Sequence, residues 1–241
     1  MIKKLPVIFS LLIIASTGYT QPFNNAMAFY KAGIELKNKN LYADALSSFQ
    51  RAVALDKKFD SAYVEIGDML VKTGNPGLAI ANYKKALSIN PSMTPALISL
   101  GNFYRDTKSD IDSALIYYHQ ALKTDSANKV IYYSLAWCYN AKTEYEKAIT
   151  YGIKALEIDN NYRAAYNELG HAYRRTKKFA EAIEQFKKNI AISVVDLPIL
   201  YSGLCYTELH DKEGALQQYE ELKKVNEKMA ASLKRRIDAM Q

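Results

Sequence analysis

The sequence predicts an all-α fold, a solenoid of about six stacked helix-turn-helix repeats closed by a C-terminal capping helix. Two ladders of small residues support this prediction, and each recurs every 33 to 35 residues. The first ladder consists of Gly33, Gly67, Gly101, Ala136, Gly170 and Gly203. The second ladder consists of Ala45, Ala79, Ala114, Ala148, Ala182 and Ala215. Because two independent series keep the same period, they indicate that one helical unit is repeated along the chain.

Bulky side chains accompany both ladders at helical spacing. Three residues after the members of the first ladder stand Leu36, Leu70, Tyr104, Tyr139, Tyr173 and Tyr206. Four residues after most members of the second ladder stand Phe49, Tyr83, Tyr118, Phe186 and Tyr219. Offsets of three and four place these groups on one face of each helix. A glycine inside a helix costs about 1 kcal/mol relative to alanine, so we expect the glycines to permit close contact between paired helices.

The first element along the chain is an expected secretory signal peptide over residues 1–20. Two lysines precede an apolar run over residues 5–15, which is shorter than the roughly 17 to 25 residues of a membrane span. Small and polar residues follow, and cleavage is expected after Thr20 or Thr17. An uncleaved N-terminal anchor is the alternative. Removal of the peptide would lower the formal net charge from +7 to +5 and would place the protein in the periplasm or outside the cell.

The solenoid is predicted over residues 21–229, with turn-forming stretches between its helices. The six repeats are approximately residues 26–59, 60–93, 94–128, 129–162, 163–195 and 196–229. Asp and Asn residues mark the junctions between successive repeats, at Asp56, Asn90, Asp125 and Asp159. We expect such side chains to cap the next helix by accepting hydrogen bonds from its free backbone N–H groups.

The last element, which ends over residues 230–241, is the predicted capping helix. Its apolar stripe consists of Met229, Leu233, Ile237 and Met240. A solenoid needs such a cap because the terminal repeat would otherwise expose its core face.

Two cysteines are expected to be core residues, although export would place them in an oxidising compartment. Cys138 and Cys205 occupy equivalent positions two repeats apart. Stacked helix pairs separate such positions by about 20 Å, whereas a disulfide needs Cα atoms within about 7 Å of each other.

Three places depart from the repeat pattern. Gly152 stands where the fourth repeat should carry a ring, and Asn189 replaces the alanine that most repeats carry near the end of the second helix. The fifth junction, residues 191–198, is apolar and one residue short. Either the core is repacked there or a partner covers this patch.

The ladder residues resemble the tetratricopeptide-repeat family. The second repeat matches its pattern with Ile66, Gly67, Leu70, Ala79, Tyr83, Ala86 and Pro91, and the fifth repeat matches with Leu169, Gly170, Tyr173, Ala182 and Phe186. The resemblance covers approximately residues 26–229. It implies a right-handed α-solenoid, in which ligand peptides commonly lie along the concave face formed by the first helices.

Motifs of catalysis and cofactor binding are missing from the sequence, so we expect no enzyme, no cofactor and no metal. There is no phosphate-binding loop, dinucleotide-binding fingerprint or Gly-x-Ser-x-Gly elbow. The three histidines stand apart from one another and from the cysteines. Basic residues are spread along mixed Lys/Glu helix faces, which argues against nucleic-acid binding.

The residues expected to face the groove follow from helical geometry. The stripe begins one residue after each member of the first ladder, and it continues four residues before and three after that position. Its central members are Asn102, Arg105, Tyr133, Trp137, Asn140, Asn167, His171 and Arg174. Aromatic and Arg side chains dominate many interfaces. We therefore expect an apolar anchor on Tyr133 and Trp137 and acidic partner groups near the two arginines, unless the rings pack sideways against neighbouring helices.

The leading interpretation is an exported interaction module or scaffold of the cell envelope that binds a protein or peptide in its concave groove, with no integral membrane span after signal cleavage. Two alternatives stay open. Groove aromatics and Asn side chains would also suit an envelope polysaccharide or peptidoglycan. A structural homo-oligomer could instead assemble through the fifth junction or the solenoid ends.

Overall fold

Residues 25–240 are the part of the chain that the computed structural model describes, and they form thirteen α-helices and no strand. In chain order the helices are α1 (Ala26–Asn38), α2 (Tyr42–Leu55), α3 (Asp60–Lys72), α4 (Pro76–Ile89), α5 (Thr94–Asp106), α6 (Ile111–Thr124), α7 (Lys129–Ala141), α8 (Tyr145–Ile158), α9 (Arg163–Arg175), α10 (Phe179–Ile192), α11 (Asp196–Glu208), α12 (Lys212–Val225) and α13 (Glu227–Asp238). This architecture confirms the predicted all-α solenoid. The predicted signal peptide lies outside the described residues.

Helices α1–α12 form six hairpins, each made of a first helix and a second helix that pack together. Each second helix also packs against the first helix of the next hairpin, so the hairpins form one continuous stack. First helices contact one another in addition, α3 with α5 and α7 with α9, whereas no two second helices of the described chain pack to a similar extent. The first helices therefore lie on the inner side of the stack.

Glycines of the first ladder bring the two helices of a hairpin into close contact. A Cβ atom added to Gly67 would lie 2.3 Å from Cε1 of Tyr83, and one added to Gly33 would lie 2.5 Å from Cε1 of Phe49. Gly101 and Gly170 meet their rings in the same way, opposite Tyr118 and Phe186. These distances confirm that the glycines are required by the rings that cover them.

In the fourth and sixth repeats, the contact between the two helices of the hairpin is made by other residues. In the fourth repeat, Gly152 replaces the ring of the second helix, and Ala136 replaces the glycine of the first helix. The large ring and the glycine that it covers are therefore both absent from this repeat. In the sixth repeat, a Cβ on Gly203 would lie 2.5 Å from Leu233 of α13, and Gln218 rather than Tyr219 supplies the next contact. The sequence pattern that assigned Tyr219 to this position is wrong there, because the capping helix takes the place of the ring.

The turn inside each hairpin contains one residue with a left-handed backbone. These residues are Asn40, Gly74, Ser109, Thr143, Lys177 and His210, with φ between 52° and 82°. Only one of them is a glycine, although the left-handed region is unfavourable for residues with a Cβ atom. Five hairpins close this turn with a backbone bond that spans five residues, whereas the third hairpin, from Asp110 N to Tyr104 O, spans six.

The predicted junction residues do not cap the next helix, although Asn128 at the third junction does cap α7. Asp56, Asn90 and Asp159 each accept a hydrogen bond from the backbone N–H two residues later, at 2.9, 3.2 and 2.9 Å. Asp125 does the same at 3.2 Å. The residue before helices α3, α5, α9 and α11 is instead apolar or aromatic and makes no side-chain cap. The polar side chains shape the turn, because the position next to the helix is used for packing.

Polar side chains also tie the start of a first helix to the end of its second helix, thirty residues later. Nδ2 of Asn90 donates to Asp60 at 3.1 Å, Thr94 and Thr124 share a bond of 2.8 Å, and Lys129 pairs with Asp159. In the sixth hairpin Asn226 donates to Asp196 at 2.8 Å. The fifth hairpin has Arg163 and Ser193 at these positions, and no bond joins their side chains in the described structure.

The end of the stack is closed by α13, which packs against α11 and α12. Leu233 and Ile237 are fully buried, and Met229 and Met240 flank them, as the apolar stripe predicts. Cys138 and Cys205 are fully buried and free, and burial raises the pKa of each thiol to about 12. Within residues 25–240 there is no helix both long enough and apolar enough to cross a membrane.

Candidate functional site

The eight predicted groove residues lie on three neighbouring first helices. Asn102 and Arg105 are on α5, whereas the other six are Tyr133, Trp137 and Asn140 on α7 and Asn167, His171 and Arg174 on α9. All eight are half-buried or buried. We call the inner face of α5, α7, α9 and α11 the inner strip. The structure therefore brings the predicted residues to one surface, but many of their polar atoms are already engaged there.

Arg105 is an ion-paired residue. Its Nε and Nη2 atoms donate to the two carboxylate oxygens of Asp106 at 2.6 and 2.9 Å. Its guanidinium carbon lies 5.3 Å from the centre of the Trp137 ring, and its side chain is 15% exposed. Paired guanidinium groups have less to gain from a further acidic group, so Arg105 and Trp137 act together as a flat platform.

Tyr133 packs sideways against another ring. Its centroid lies 5.6 Å from that of Tyr162, at an interplanar angle of 83°, which is a favourable edge-to-face geometry. Trp137 packs against the core cluster of the third and fourth repeats. The two rings expected to form a single anchor thus have separate supports, although both remain partly exposed on the inner strip.

Asn140 is buried, and its side chain is already hydrogen-bonded. It is 7% exposed, and its Nδ2 donates to the backbone oxygen and to Oε2 of Glu168, both at 2.9 Å. Asn102 is also engaged, because its Oδ1 accepts a bond of 2.7 Å from the Tyr118 hydroxyl. Neither amide is fully free to bond a partner.

Glu168 is the inner-strip residue that the sequence analysis missed. Burial raises the pKa of its carboxyl, while bonds from Asn140 and Asn167 act in the opposite direction. Glu168 stands two residues before Gly170, whereas the predicted stripe included the position three residues before it. A stripe read at spacings of three on both sides of His171 would have found it.

His171 and Arg174 carry unused hydrogen-bonding capacity. The guanidinium carbon of Arg174 lies 5.0 Å from the centre of the Tyr201 ring, and its Nε is buried with no partner among the described residues. The Nδ1 atom of His171 is likewise buried and unpartnered. Burial lowers the pKa of His171, and the positive charges of Arg174 and Arg175 lower it further. The imidazole is therefore neutral at pH 7.

Buried polar atoms without a partner are concentrated in the last three repeats. Within the described chain they are Ser134 Oγ, Asn140 Oδ1, His171 Nδ1, Arg174 Nε, Asn189 Oδ1 and Ser202 Oγ. Buried polar atoms are nearly always hydrogen-bonded in folded proteins. Three of these atoms belong to the predicted groove residues Asn140, His171 and Arg174.

Two cavities of about 390 Å³ each open along the first helices. One lies between α3 and α5, around Asp68, whose carboxylate accepts bonds from Tyr83 at 2.8 Å and Ser99 at 3.2 Å. The other, which we call the junction cavity, lies between α7, α9 and the start of α11. Tyr133, Asn167, Glu168 and Asn189 contribute to its wall.

Family profiles described as tetratricopeptide repeat match the chain at residues 60–93, 130–162 and 163–194. These segments correspond to the second, fourth and fifth hairpins. The profile matches and the solved structures below agree with the stacked helix hairpins on the fold of the described residues.

Known proteins resemble the chain at low identity. The photosystem I assembly protein Ycf3 of Cyanophora paradoxa is 24% identical over 145 residues, which are 54% of this chain and 84% of that protein. The structure of YrrB, described as a tetratricopeptide-repeat protein with an unusual peptide-binding site, has a TM-score of 0.67 at 22% identity and covers 78% of this chain and 97% of YrrB. PilW, a type IV pilus biogenesis factor, has a TM-score of 0.74 at 18% identity, covering 82% and 92%. At these identities the two structures establish the fold alone.

Proposed function

Because the chain belongs to the tetratricopeptide-repeat family, whose members bind protein or peptide partners, we propose that it is an exported scaffold of the cell envelope that holds a partner segment on the inner strip of its last three repeats. The observation that carries this proposal is the concentration of unpartnered buried polar atoms in those repeats. A partner that supplies hydrogen bonds to the inner-strip atoms among them, His171 Nδ1 and Arg174 Nε, would offset a desolvation cost of about 1–3 kcal/mol for each atom.

Aromatic and cationic side chains on the same surface support a protein partner. Two guanidinium groups stack on aromatic rings, Arg105 on Trp137 and Arg174 on Tyr201. Trp, Tyr and Arg are the residue types that contribute most to binding energy at interfaces. Because Arg105 is already paired with Asp106, Arg174 is the better candidate for an acidic group of the partner.

Export is part of the proposal and rests on the N-terminal sequence. Two lysines, a short apolar run and a polar exit over residues 1–20 have the order of a secretory signal peptide. An exported protein would meet its partner in the cell envelope.

A role in assembling a larger structure fits the relatives. Two of them are described as an assembly protein and as a biogenesis factor, and a third has a peptide-binding site. We extend that role to this chain as an assembly scaffold, with the partner's identity left to experiment.

Crosslinking capture from native cells tests the proposal. The full chain with a C-terminal tag is compared with a Trp137→Ala, Arg174→Glu double variant. A control carries Ile116→Ala and Lys123→Glu, which change the same kinds of groups at exposed positions on α6. All three proteins are first shown to fold by circular dichroism. We expect one protein to be captured by the parent and the control and lost by the inner-strip variant.

Other outcomes reject the inner strip. Loss of the partner in the α6 control alone would place binding on the opposite surface. Capture of only the chain itself, with a dimer in light scattering, would favour the homo-oligomer. Binding to purified envelope polymer that persists at high salt, with no protein captured, would favour the polysaccharide interpretation.

A further inference from the structure

The fifth hairpin breaks the repeat pattern at one residue that lines the junction cavity. Asn189 stands where four other repeats carry Ala52, Ala86, Ala121 and Ala155. Its side chain is 2% exposed, and its Nδ2 donates to the backbone oxygen of Arg163 at 3.0 Å. Asn189 lines the cavity, and its buried Oδ1 has no partner among the described residues. A carboxamide oxygen left unpaired at this depth is costly unless a donor reaches it.

Two carboxylates line the same cavity without a cationic partner. Glu168 and Asp196 contribute to its wall, and neither forms an ion pair with any residue between 25 and 240. Asp196 accepts bonds from Leu197 N at 2.8 Å and Asn226 Nδ2 at 2.8 Å, so its hydrogen bonding is largely satisfied. Glu168 accepts side-chain bonds from amide groups only, Asn140 at 2.9 Å and Asn167 at 3.4 Å, while the positive charge of Arg105 also acts on it. Glu168 is therefore the group with most to gain from a positive charge.

The remaining wall suits an alkyl chain. Tyr133, Val195, Leu197 and Pro198 present apolar surface around the opening, and the Leu197 side chain is 44% exposed. Lys and Arg side chains bury their methylene stems on such surfaces while the charged head reaches a polar group. Arg163 also lines the cavity, but its side chain is exposed and makes no ion pair within the described chain.

We propose that the junction cavity binds a lysine or arginine side chain of the partner segment. The head group donates to Oδ1 of Asn189 and to the carboxylate of Glu168, and the stem packs on Tyr133 and Pro198. This inference rests on the proposed function, because it names the chemistry of one partner residue at the same inner strip. An acidic partner residue is disfavoured here, because it would meet two carboxylates and an amide oxygen against a single cation, Arg163, in the wall.

The cavity around Asp68 provides the contrast. There the carboxylate accepts bonds from Tyr83 and Ser99, and the positive charges of Lys37 and Lys72 act on it. No buried oxygen in that cavity is left without a partner within the described chain. Two cavities of equal volume thus differ in whether a buried oxygen in the wall lacks a partner, because cationic charge acts on Asp68 and Glu168 alike.

Small cations test the proposal directly. The full ¹⁵N-labelled chain is titrated with n-butylammonium and n-butylguanidinium at constant ionic strength, with n-butanol and butyrate as matched uncharged and anionic probes. We expect saturable NMR shifts of the Asn189 side-chain amide with the two cations and none with the other probes. Equal shifts with n-butanol, or no saturable shift with either cation, would overturn the proposal.

Variants assign the effect to the cavity. Glu168→Gln and Asn189→Ala should each weaken cation binding by about tenfold or more, because a charge-assisted bond is lost. Alanine is the residue that four other repeats tolerate at the position of Asn189. Asp68→Asn in the other cavity should leave cation binding unchanged. Unchanged binding in Glu168→Gln would also reject the site.

The two proposals can fail separately. If capture of the native partner depends on Trp137 and Arg174 but not on Glu168, the inner strip binds the partner without a basic residue in the junction cavity. If cations bind the cavity but no partner protein is captured, the cavity chemistry holds and the scaffold function does not.

Discussion

The first three repeats and the last three are built from the same helix pairs, yet they treat their buried groups differently. In the first three, Gly33, Gly67 and Gly101 each meet a covering ring, and no buried side-chain atom lacks a hydrogen-bond partner within the described chain. In the last three, the ring is lost at Gly152 and replaced by a capping-helix leucine at Gly203, and all six unpartnered atoms occur there.

Under the proposed function, this difference assigns stability mainly to the first three repeats and binding to the last three. A satisfied half gains little from a partner, because its polar groups have already exchanged water for protein bonds. An unsatisfied half bears desolvation costs that a ligand can remove. Under the proposed function, the regular repeats mainly stabilise the solenoid and the irregular repeats bind the partner.

The largest expected effect compares two glycines. Gly67→Ala should destabilise the protein by about 1–3 kcal/mol, because the new Cβ atom would lie 2.3 Å from the Tyr83 ring and force it to move. Gly152→Ala should stabilise it by up to about 1 kcal/mol, since its Cβ would meet Leu169 at an ordinary 3.5 Å and helix propensity improves. Urea unfolding followed by circular dichroism measures both.

Equal destabilisation by the two substitutions would contradict the difference between the halves. A Gly67→Ala, Tyr83→Leu double variant serves as the control, because removing the ring should recover part of the loss.

The hairpin turns give a second comparison. Thr143 has φ of 61° and Gly74 has φ of 82° at equivalent positions. Thr143→Gly should raise the free energy of unfolding by about 0.5–1 kcal/mol, because a β-branched residue is strained in the left-handed region. Gly74→Ala should lower it by about 1 kcal/mol. A stabilising Gly74→Ala would show that the turn relaxes more easily than its backbone angles indicate.

Two serines sharpen the comparison of buried groups. Ser202 is fully buried with an unpartnered hydroxyl, so Ser202→Ala should stabilise the unbound protein by up to about 1 kcal/mol. Ser99 donates to Asp68 at 3.2 Å, and Ser99→Ala should cost about 1 kcal/mol. Thermal unfolding checks both signs. If Ser202→Ala destabilises, its hydroxyl is satisfied in the free protein.

The smallest effect is a dependence on pH. Burial raises the folded-state pKa of Glu168, so its contribution to stability is fully present below the ordinary Glu pKa and is lost as pH rises through the folded-state value. Glu168→Gln removes this loss. We expect the variant to gain stability relative to the parent between pH 4 and pH 7, measured by urea unfolding at each pH. A constant difference across that range would show that Glu168 titrates normally.

Much of the fold could be predicted because backbone contact dictates the ladders. Only a small residue fits beneath Phe49 or Tyr83, so a glycine recurs at the repeat period and can be recognised in the sequence. The role of Asp56 and Asn90 as helix caps was wrong, because a side chain can bond its own turn or the next helix and the sequence is the same in both cases. The tertiary packing of residues such as Phe59 decides between them.

The candidate site was only partly predictable. Helical spacing placed Trp137, His171 and Arg174 on one surface, since that depends on geometry alone. Helical spacing did not reveal that the Asn140 side chain donates its hydrogen bonds to Glu168, because a buried glutamate and a solvated one look alike in sequence. The unpartnered oxygen of Asn189 likewise required the structure, although the residue itself stood out as a break in the alanine ladder.

Site-specific photocrosslinking in native cells tests the central claim, that the last three repeats bind the partner. A photoreactive phenylalanine analogue is placed at His171 on the inner strip, at Val71 on α3 in the second repeat, or at Ile116 on α6. Val71 and Ile116 are exposed and His171 is half-buried, so exposure alone favours the two controls. We predict a specific protein adduct at position 171 and none at 71 or 116. An adduct at 71 or 116 with none at 171 would contradict the account.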